Sequence, residues 1–521
     1  MKRKLYQGVF ALSATLTFLA GGLSCTDDTM DKINEDINHP TSVSSNFIIT
    51  SVETVSALLV TGGDFNTYLS VVMEHQSGST GQMYDADQRY VTLEEPSSFN
   101  NGWNNLYDNF SACKDIIAIC SEGGKEAGNL VNKGIGETLM AYNLAIATDL
   151  FGDIPWSEAL NFASYMNPKL DKQEAIYKDI FSLLDQALID LQSGSPSVVQ
   201  NADVYYGGNV SKWVKAVYAL KARYTMRLIG RSSDKTGDLN KILDYVSKSF
   251  GSAADELKLD KYDGSTMFNP LYTFSNSRNY LSLSKSLMDK FIARNDPRAE
   301  QVAINPDGMY IISSSDPDYD PFPNGAGDRS QDVYSQAAAS WGMTAPTQLL
   351  SYHELLFLKA EAQVRLNQDA SSTLKAAIAA AYENAAIGIN ASINSTNANR
   401  KIIGTCTLTS ALAEEYFESR IQSLYKANPL KEVMIEKYLA FFGSSGESVE
   451  AYSDYRRLLS LGESFITLAN PNNAATAVFP KGHFPLRLAY GEASSNPFVR
   501  EAQGNGAFVY AEPVWWAGGS R

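Results

Sequence analysis

Most of the chain spaces its apolar residues at three- and four-residue steps, which is the pattern of helices that bury one face. In one segment these positions are Ile135, Leu139, Tyr142, Ile146 and Leu150. The same spacing recurs within residues 176–191, 213–228, 355–366 and 374–385. Pro429 would begin a further helix, since proline is common in the first helical turn. The pattern predicts an all-α protein built from antiparallel helix pairs with short connections.

The predicted pairs are similar to the units of tetratricopeptide arrays, in which each pair buries its face against its neighbours. Pair starts near residues 135, 211, 351 and 407 are too unevenly spaced for regular repeats of about 34 residues. Long irregular segments therefore interrupt the scaffold, above all residues 76–102 and 251–346. Such segments are usually functional or disordered, and their aromatic residues argue against disorder. We expect a binding surface there.

The composition is acidic and contains little cysteine or histidine. There are 58 Asp and Glu residues against 43 Lys and Arg, and the formal net charge is −15. A surface of this charge repels phosphate backbones, so we expect no nucleic-acid partner. Four cysteines and four histidines are too few for a disulfide framework and offer little for a metal cluster.

The N-terminus has the features of a secretory signal. Basic residues 2–4 precede an uncharged, mostly apolar stretch over residues 9–20, which is too short to span a bilayer comfortably. Small residues then lead directly to Cys25, an arrangement that resembles a bacterial lipoprotein cleavage site. We predict a signal peptide over residues 1–24 and lipidation of Cys25. An ordinary secreted protein with a chance cysteine is the alternative.

An acidic run over residues 26–31 follows Cys25 and resembles the surface-export signal of Bacteroidetes lipoproteins. This resemblance implies a protein anchored in the outer membrane and facing outward on the cell surface of a Bacteroidetes-type bacterium. We expect residues 25–45 to form the lipidated N-terminus and tether. Residues 46–521 would then form one helical binding domain.

Six separated segments carry a more specific resemblance. They are residues 147–159, 284–298 with Asp296-Pro297-Arg298 at its end, 351–362, 435–457, 484–492 and the tryptophan pair 515–516. Together they resemble the SusD/RagB family of outer-membrane nutrient-binding lipoproteins, in its SusD-like group. His353 stands where that family usually has alanine.

The resemblance implies a single domain of four tetratricopeptide-like helix pairs, with irregular insertions forming the ligand surface. It also implies a partner, a SusC-like TonB-dependent transporter, to which the protein delivers nutrient oligosaccharides while acting as a lid. A hinged binding protein suits a barrel that must admit a bulky solute through a controlled opening. The task implied is binding, with no enzymatic step and no cofactor.

Sugars are recognised by aromatic rings that cover their C–H faces and by polar side chains that exchange hydrogen bonds with hydroxyls. The irregular segments contain both kinds of residue. Our candidate ligand contacts are Tyr84, Tyr90, Asn101, Trp103, Tyr272, Phe274, Asn276, Arg278, Tyr319 and Trp341. Contact residues vary with the ligand in the family, so the resemblance assigns none of them individually.

Each aromatic candidate also has a structural interpretation. Trp103 and Tyr107 lie four residues apart at a helix start, and this spacing favours core packing. Tyr84, Tyr272 and Trp341 have no obvious helical face, so ligand contact and core packing stay equally open. Four tryptophans in scaffold-like motifs are expected in the core: Trp156, Trp213, Trp515 and Trp516.

Two acidic clusters invite other interpretations. Asp316, Asp318 and Asp320 could supply oxygen ligands to Ca²⁺, but they lack the EF-hand's glycine and final glutamate, and a solvated turn is favoured. Asp454 beside residues 456–457, both arginine, predicts a structural ion-pair cluster.

Catalytic motifs are weak. His353-Glu354 begins like a zinc-protease helix, but the position of the second histidine is Phe357. Glu94 and Glu95 could form a glycosidase pair only at a separation that sequence does not show. Three hypotheses remain: a glycan receptor, which we favour, a receptor of the same architecture for peptides or another nutrient, and a surface glycoside hydrolase.

Overall fold

The computed structural model describes residues 43–90, 93–161, 163–443, 445–477, 480 and 482–521. Residues Ser45–Arg521 form one compact unit. The predicted signal peptide, Cys25 and nearly all of the tether lie outside the described residues, so these assignments stay predictions.

Helices dominate the described chain. The first nine α-helices are α1 Ser45–Val55, α2 Asp64–Val72, α3 Gly81–Asp87, α4 Asn100–Cys120, α5 Leu130–Phe151, α6 Gln173–Leu191, α7 Val210–Arg227, α8 Lys235–Ser247 and α9 Pro270–Arg278. The next nine are α10 Lys285–Arg294, α11 Tyr352–Arg365, α12 Ser371–Ile393, α13 Ser410–Tyr416, α14 Gln422–Ala427, α15 Pro429–Ala440, α16 Ser448–Ser460, α17 Pro497–Gln503 and α18 Phe508–Ala511. The prediction of an all-α protein is confirmed.

The strands are short and form four antiparallel pairs. They are β1 Gln76–Gly78 with β5 Leu281–Leu283, β2 Ile154–Pro155 with β3 Leu170–Asp171, β4 Leu257–Leu259 with β8 Thr347–Leu350, and β6 Ala303–Ile304 with β7 Gln336–Ala337. Each pair ties one irregular segment to another or to the scaffold.

Four helix pairs form the scaffold. The hydrophobic spacing predicts helix pairs, and the family resemblance implies four of them. The pairs are α5 with α6, α7 with α8, α11 with α12, and the α13–α14 run with α15. Successive pairs touch through α6 and α7, then α8 and α11, then α12 and α13. Side-chain caps define several starts: the Asn428 side chain accepts from the Lys431 backbone N–H, with Pro429 in the first turn of α15.

The continuous helical stretch Ser45–Val72 is long and apolar enough to cross a membrane by length and composition. Its polar side chains, however, have partners inside the protein. The buried Glu53 carboxylate accepts from the Val204 N–H at 2.7 Å, and the Ser56 hydroxyl accepts from Asn109 and Asn143 at 3.0 and 2.9 Å. These contacts make the stretch part of the packed scaffold.

A buried network of ion pairs, which we call the scaffold network, joins four helices of the fold. Arg223 of α7 contacts Glu354 of α11 at 2.5 Å, and Arg457 of α16 contacts Glu361 of α11 at 2.6 Å. Lys437 of α15 lies 2.6 Å from Asp454 of α16. Helices α11, α15 and α16 contain two of the six family-like segments, residues 351–362 and 435–457, so these two segments contribute members of a buried charge network.

The predicted ion-pair cluster around Asp454 is half right. Arg457 contacts Asp454 at 2.9 Å. Arg456 has no carboxylate partner among the described residues, and its guanidinium instead donates to the Asp149 carbonyl at 2.9 Å and stacks 3.9 Å from the Tyr452 ring centre. The buried Arg456 guanidinium is therefore satisfied by a backbone carbonyl and the Tyr452 ring, because the nearby Asp454 already pairs with Lys437 and Arg457.

Candidate functional site

An open cleft of about 570 Å³ lies where the N-terminus of α2 meets α9, and we call it the α2–α9 cleft. Its walls come from residues 58–68 around the start of α2, the segment that leads into α4, and one face of α9. The residues that matter for its chemistry are Asp64, Tyr68, Ser98, Asn101, Phe268, Phe274 and Arg278. Its volume is in the range of small-molecule sites.

Two glycines and an asparagine shape this cleft. A β-carbon at Gly62 would lie 2.5 Å from the Pro270 ring, and one at Gly63 would lie 2.3 Å from the Leu59 carbonyl oxygen. Glycine therefore allows α2 to start close against α9. The Asn269 side chain caps α9 by accepting from the Leu271 N–H at 2.9 Å, with Pro270 in the first turn.

Asp64 is the acceptor at the centre of the cleft. Asn101 Nδ2 donates to Asp64 Oδ2 at 3.1 Å. Burial raises the pKa of Asp64, while the Asn101 hydrogen bond and the positive charge of Arg278 partly offset that rise. The cleft thus holds a carboxylate, an amide and a guanidinium, which together offer both donors and acceptors.

Tyr68 adds a neutral hydroxyl to the buried side of the cleft. Burial raises the pKa of Tyr68 to about 12, although a hydrogen bond with Ser98 lowers it somewhat. The phenol therefore stays protonated at neutral pH and can donate as well as accept.

Half-buried rings complete the cleft. Phe274 meets Tyr280 edge-on with ring centres 6.2 Å apart, and Phe268 lies 5.8 Å from Tyr272. These neighbours fix the orientation of the two phenylalanine rings that line the cavity. Flat apolar faces beside mixed polar groups suit a ligand with both C–H faces and hydroxyls.

Tyr84 and Asp85 of α3, together with Arg329 from a later segment, form a second polar group close to the cleft. The Arg329 guanidinium sits 5.3 Å from the Tyr84 ring centre and 3.5 Å from the Asp85 carboxylate. The charge of Asp85 contributes to raising the pKa of Tyr68, which places α3 near the cleft. Gln82 of the same helix lines the cavity directly.

The structure brings together three of the predicted ligand contacts, Asn101, Phe274 and Arg278, in the α2–α9 cleft. Asn276 is exposed on α9, and Tyr90 is exposed after α3. Their contact with ligand stays a prediction.

Burial corrects two other candidates. Trp341 is fully buried, its ring N–H donates to Gln336 at 3.0 Å, and Arg400 covers it at 4.0 Å. Tyr272 is 4% exposed, and its hydroxyl accepts from Asn397 at 2.9 Å. The segment that contains β7 and β8 folds back onto the scaffold, so both rings pack in the core instead of facing the α2–α9 cleft.

Trp103 and the tryptophans of the scaffold-like motifs follow the structural interpretation. Trp103 packs edge-on against Phe151 and Tyr490 in the core, with ring centres 5.0 and 6.0 Å away. Tyr319 is half-buried against the core. Among the tryptophans expected in the core, Trp213 and Trp516 are buried, while Trp156 and Trp515 are partly buried.

Sequence reasoning missed Asp64, Tyr68 and Phe268. The first two lie in an apolar helical run, where the pattern predicts only core packing. The sequence feature that could have identified Asp64 is the pair Gly62-Gly63, which interrupts the apolar run and is followed by this acid at the start of the next helix.

The aspartates considered as calcium ligands and the histidine of the protease-like motif both bond to nearby groups of the protein. Asp316 Oδ1 accepts from the Asp318 N–H at 2.9 Å, as in a turn. Within the described part of the chain, no three His, Cys, Asp or Glu residues are grouped to hold a metal ion. His353 is fully buried, with Nε2 lying 2.8 Å from Glu447.

A profile of the SusD-like family, described as starch-binding and associating with the outer membrane, matches residues 38–490. The chain belongs to the SusD-like family. A SusD/RagB family protein from Bacteroides thetaiotaomicron has a similar structure, with a TM-score of 0.87 and 45% sequence identity, covering 92% of this chain and 100% of that one. The family consists of binding proteins, and no catalytic family is indicated.

Two less similar structures share the fold. A chitin-binding protein is 21% identical over 90% of this chain and 99% of its own, with a TM-score of 0.69. A SusD homologue from Bacteroides fragilis is 22% identical over 91% of this chain and 100% of its own, with a TM-score of 0.67. A search of curated proteins found no match.

Proposed function

We propose that this SusD-like protein binds a nutrient oligosaccharide in the α2–α9 cleft and delivers it to a SusC-like TonB-dependent transporter at the cell surface, where it acts as the lid. The family description supports starch binding and association with the outer membrane. Anchoring through Cys25 would hold the protein next to the transporter.

One observation carries the ligand proposal. Asp64, Asn101 and Arg278 place an acceptor, an amide and a cation around a single cavity whose walls include Phe268 and Phe274. Opposite charges in the cleft leave little net field, which suits a neutral ligand with many hydroxyls. The rings supply the apolar surface that sugar C–H faces need.

Calorimetric titration of the purified protein against oligosaccharide and oligopeptide panels, with reducing-end release assayed in the same samples, tests this function. We expect saturable oligosaccharide binding without product. The Phe274→Ala variant should bind about tenfold more weakly, because losing a ring that covers a sugar face costs on the order of 1.4 kcal/mol. The matched control is Phe47→Ala, since the Phe47 ring is 72% exposed and does not line the cleft.

The other outcomes separate the alternatives. Binding of peptides alone would favour a peptide receptor of the same architecture, and release of reducing ends would favour a surface glycoside hydrolase. Unchanged affinity in Phe274→Ala, as expected for the Phe47→Ala control, would place the ligand outside the α2–α9 cleft.

A further inference from the structure

A second, smaller cavity of about 230 Å³ lies between α10, α15 and the segment that follows α16. We call it the α10–α15 pocket. Its principal lining residues are Lys290, Arg294, Lys431, Tyr438, Phe465 and Ile466. No Asp or Glu lines it, although the chain contains 58 of them. The local charge is therefore opposite to that of the protein as a whole.

The three cations are not equivalent. Arg294 is neutralised by Glu432 and by Glu436, whose carboxylate lies 3.0 Å away. Lys431 is exposed, and no acid within the described ranges pairs with it at 4.0 Å or less. The positive charge available to a ligand therefore comes from Lys431 and Lys290.

Lys290 is the better placed of the two lysines. Its ammonium donates to the Ser286 carbonyl at 3.0 Å and to the Ser286 hydroxyl at 2.7 Å. An ammonium has three N–H groups, so one donor is left for a ligand. In the part of the chain that the structure describes, no carboxylate lies within ion-pair distance of it, and Glu74 and Asp289 act only at longer range.

The walls around this ammonium are apolar. Lys290 Nζ lies 5.7 Å from the ring centre of Tyr438, and Ile435, Phe465 and Ile466 line the same cavity. Burial lowers the pKa of Lys290, because the ammonium is partly removed from solvent. A bound anion would supply the stabilisation of the positive charge that water gives in solution. A neutral sugar would find few acceptors here, since Thr467 supplies the only side-chain hydroxyl besides the Tyr438 phenol, which donates to Met73.

We propose that the α10–α15 pocket binds a small carboxylate whose apolar body is about the size of one aromatic ring. The carboxylate would accept from Lys290, and the ring would lie against Tyr438 and Phe465. The volume is below the roughly 300–1,000 Å³ of drug-sized sites, which limits the ligand to a small acid. This site shares no lining residue with the α2–α9 cleft.

Calorimetry on the purified full-length protein tests the pocket with two probes of nearly equal shape, phenylacetate and its neutral amide, 2-phenylacetamide. We expect phenylacetate to bind saturably and at least tenfold more tightly than the amide. Equal affinities, or no saturable binding of phenylacetate, would overturn the proposal. This comparison needs no variant and so does not depend on a mutant folding.

A matched pair of variants locates the site. Lys290→Met keeps an unbranched apolar side chain of nearly the same length, removes the ammonium group and should weaken phenylacetate binding at least tenfold. Lys285→Met is the control on the same helix, because Lys285 is exposed and pairs with Asp289 at 2.7 Å. Unchanged affinity in Lys290→Met, with its melting temperature preserved, would contradict the assignment.

A competition titration separates this inference from the proposed function. Saturating the protein with an oligosaccharide should leave phenylacetate affinity unchanged if the two cavities are separate sites. Displacement of phenylacetate by the sugar would mean that the acid binds in the α2–α9 cleft, and the proposal would fail.

Discussion

Glu361 in the scaffold network and Asp64 in the α2–α9 cleft are both helical carboxylates, but only Glu361 has arginines on two sides. Arg457 and Arg365 contact it at 2.6 and 2.8 Å. Burial alone would raise the pKa of Glu361, yet the two arginines bring it below its usual value. For Asp64 burial prevails and the pKa is raised. The charge of Glu361 therefore stabilises the fold, whereas the charge of Asp64 opposes folding and is available for a ligand.

Replacing Glu361 by Gln should give the largest effect. It leaves Arg457 and Arg365 without their shared carboxylate, and breaking a buried pair in this way costs about 3–5 kcal/mol. Because the folded pKa is lowered, this contribution is present above the unfolded pKa and is lost as pH falls through the folded pKa. Urea unfolding measures it. The control is Glu174→Gln, whose exposed pair with Lys178 at 3.0 Å contributes less than about 1 kcal/mol, and equal losses would contradict the comparison.

Glu53 sharpens the comparison, because it is a buried acid beside another acid. Burial raises its pKa well above the usual value, and Asp203 raises it further. A raised folded pKa gives stability that is present below the unfolded pKa and lost as pH rises through the folded pKa. Against Glu53→Gln, the wild type should therefore lose up to about 1.4 kcal/mol per pH unit above pH ~5.

Urea unfolding at pH 5, 6 and 7 tests the role of Glu53. The stability curves of wild type and Glu53→Gln should diverge as pH rises, while the curve of Glu174→Gln should run parallel to that of the wild type. Parallel curves for wild type and Glu53→Gln would show that Glu53 is already ionised in the folded protein.

Asp64→Asn should give the smallest change in stability. Because the folded pKa of Asp64 is raised, removing its charge at neutral pH should leave the free energy of unfolding unchanged within about 0.5 kcal/mol, or slightly increase it. Oligosaccharide affinity should fall about tenfold, which corresponds to about 1.4 kcal/mol. Lower stability with unchanged affinity would make Asp64 a structural acid.

The scaffold could be predicted because its signal is local. Apolar spacing within each helix defines the face that is buried, and a chain with several such helices and short connections packs them in pairs. Arg457 and Asp454 are three residues apart on one helix, so their contact also follows from local spacing.

The cleft could be predicted only in part, because its walls meet through tertiary structure. Asn101, Phe274 and Arg278 were identified because their residue types suit a sugar and they lie in the two segments predicted to be irregular, although the structure places them in α4 and α9. The burial of Tyr272 and Trp341 depends on how the segment between β5 and β8 folds back, and no spacing rule reports that. Asp64 lies in an apolar helical run, where periodicity indicates a core helix.

The pairing of β1 with β5 also bears on how the protein folds. Gln76 pairs with Leu283 and Gly78 with Leu281, so residues about 200 positions apart meet directly after α2 and α9. Closing so long a loop is slow compared with forming adjacent helices. The helix pairs can therefore assemble early from contacts near in sequence, while the cleft forms late. A chain released from synthesis before Leu281 would contain the first scaffold helices but would lack β5, and with it the strand pairing that directly follows α2 and α9.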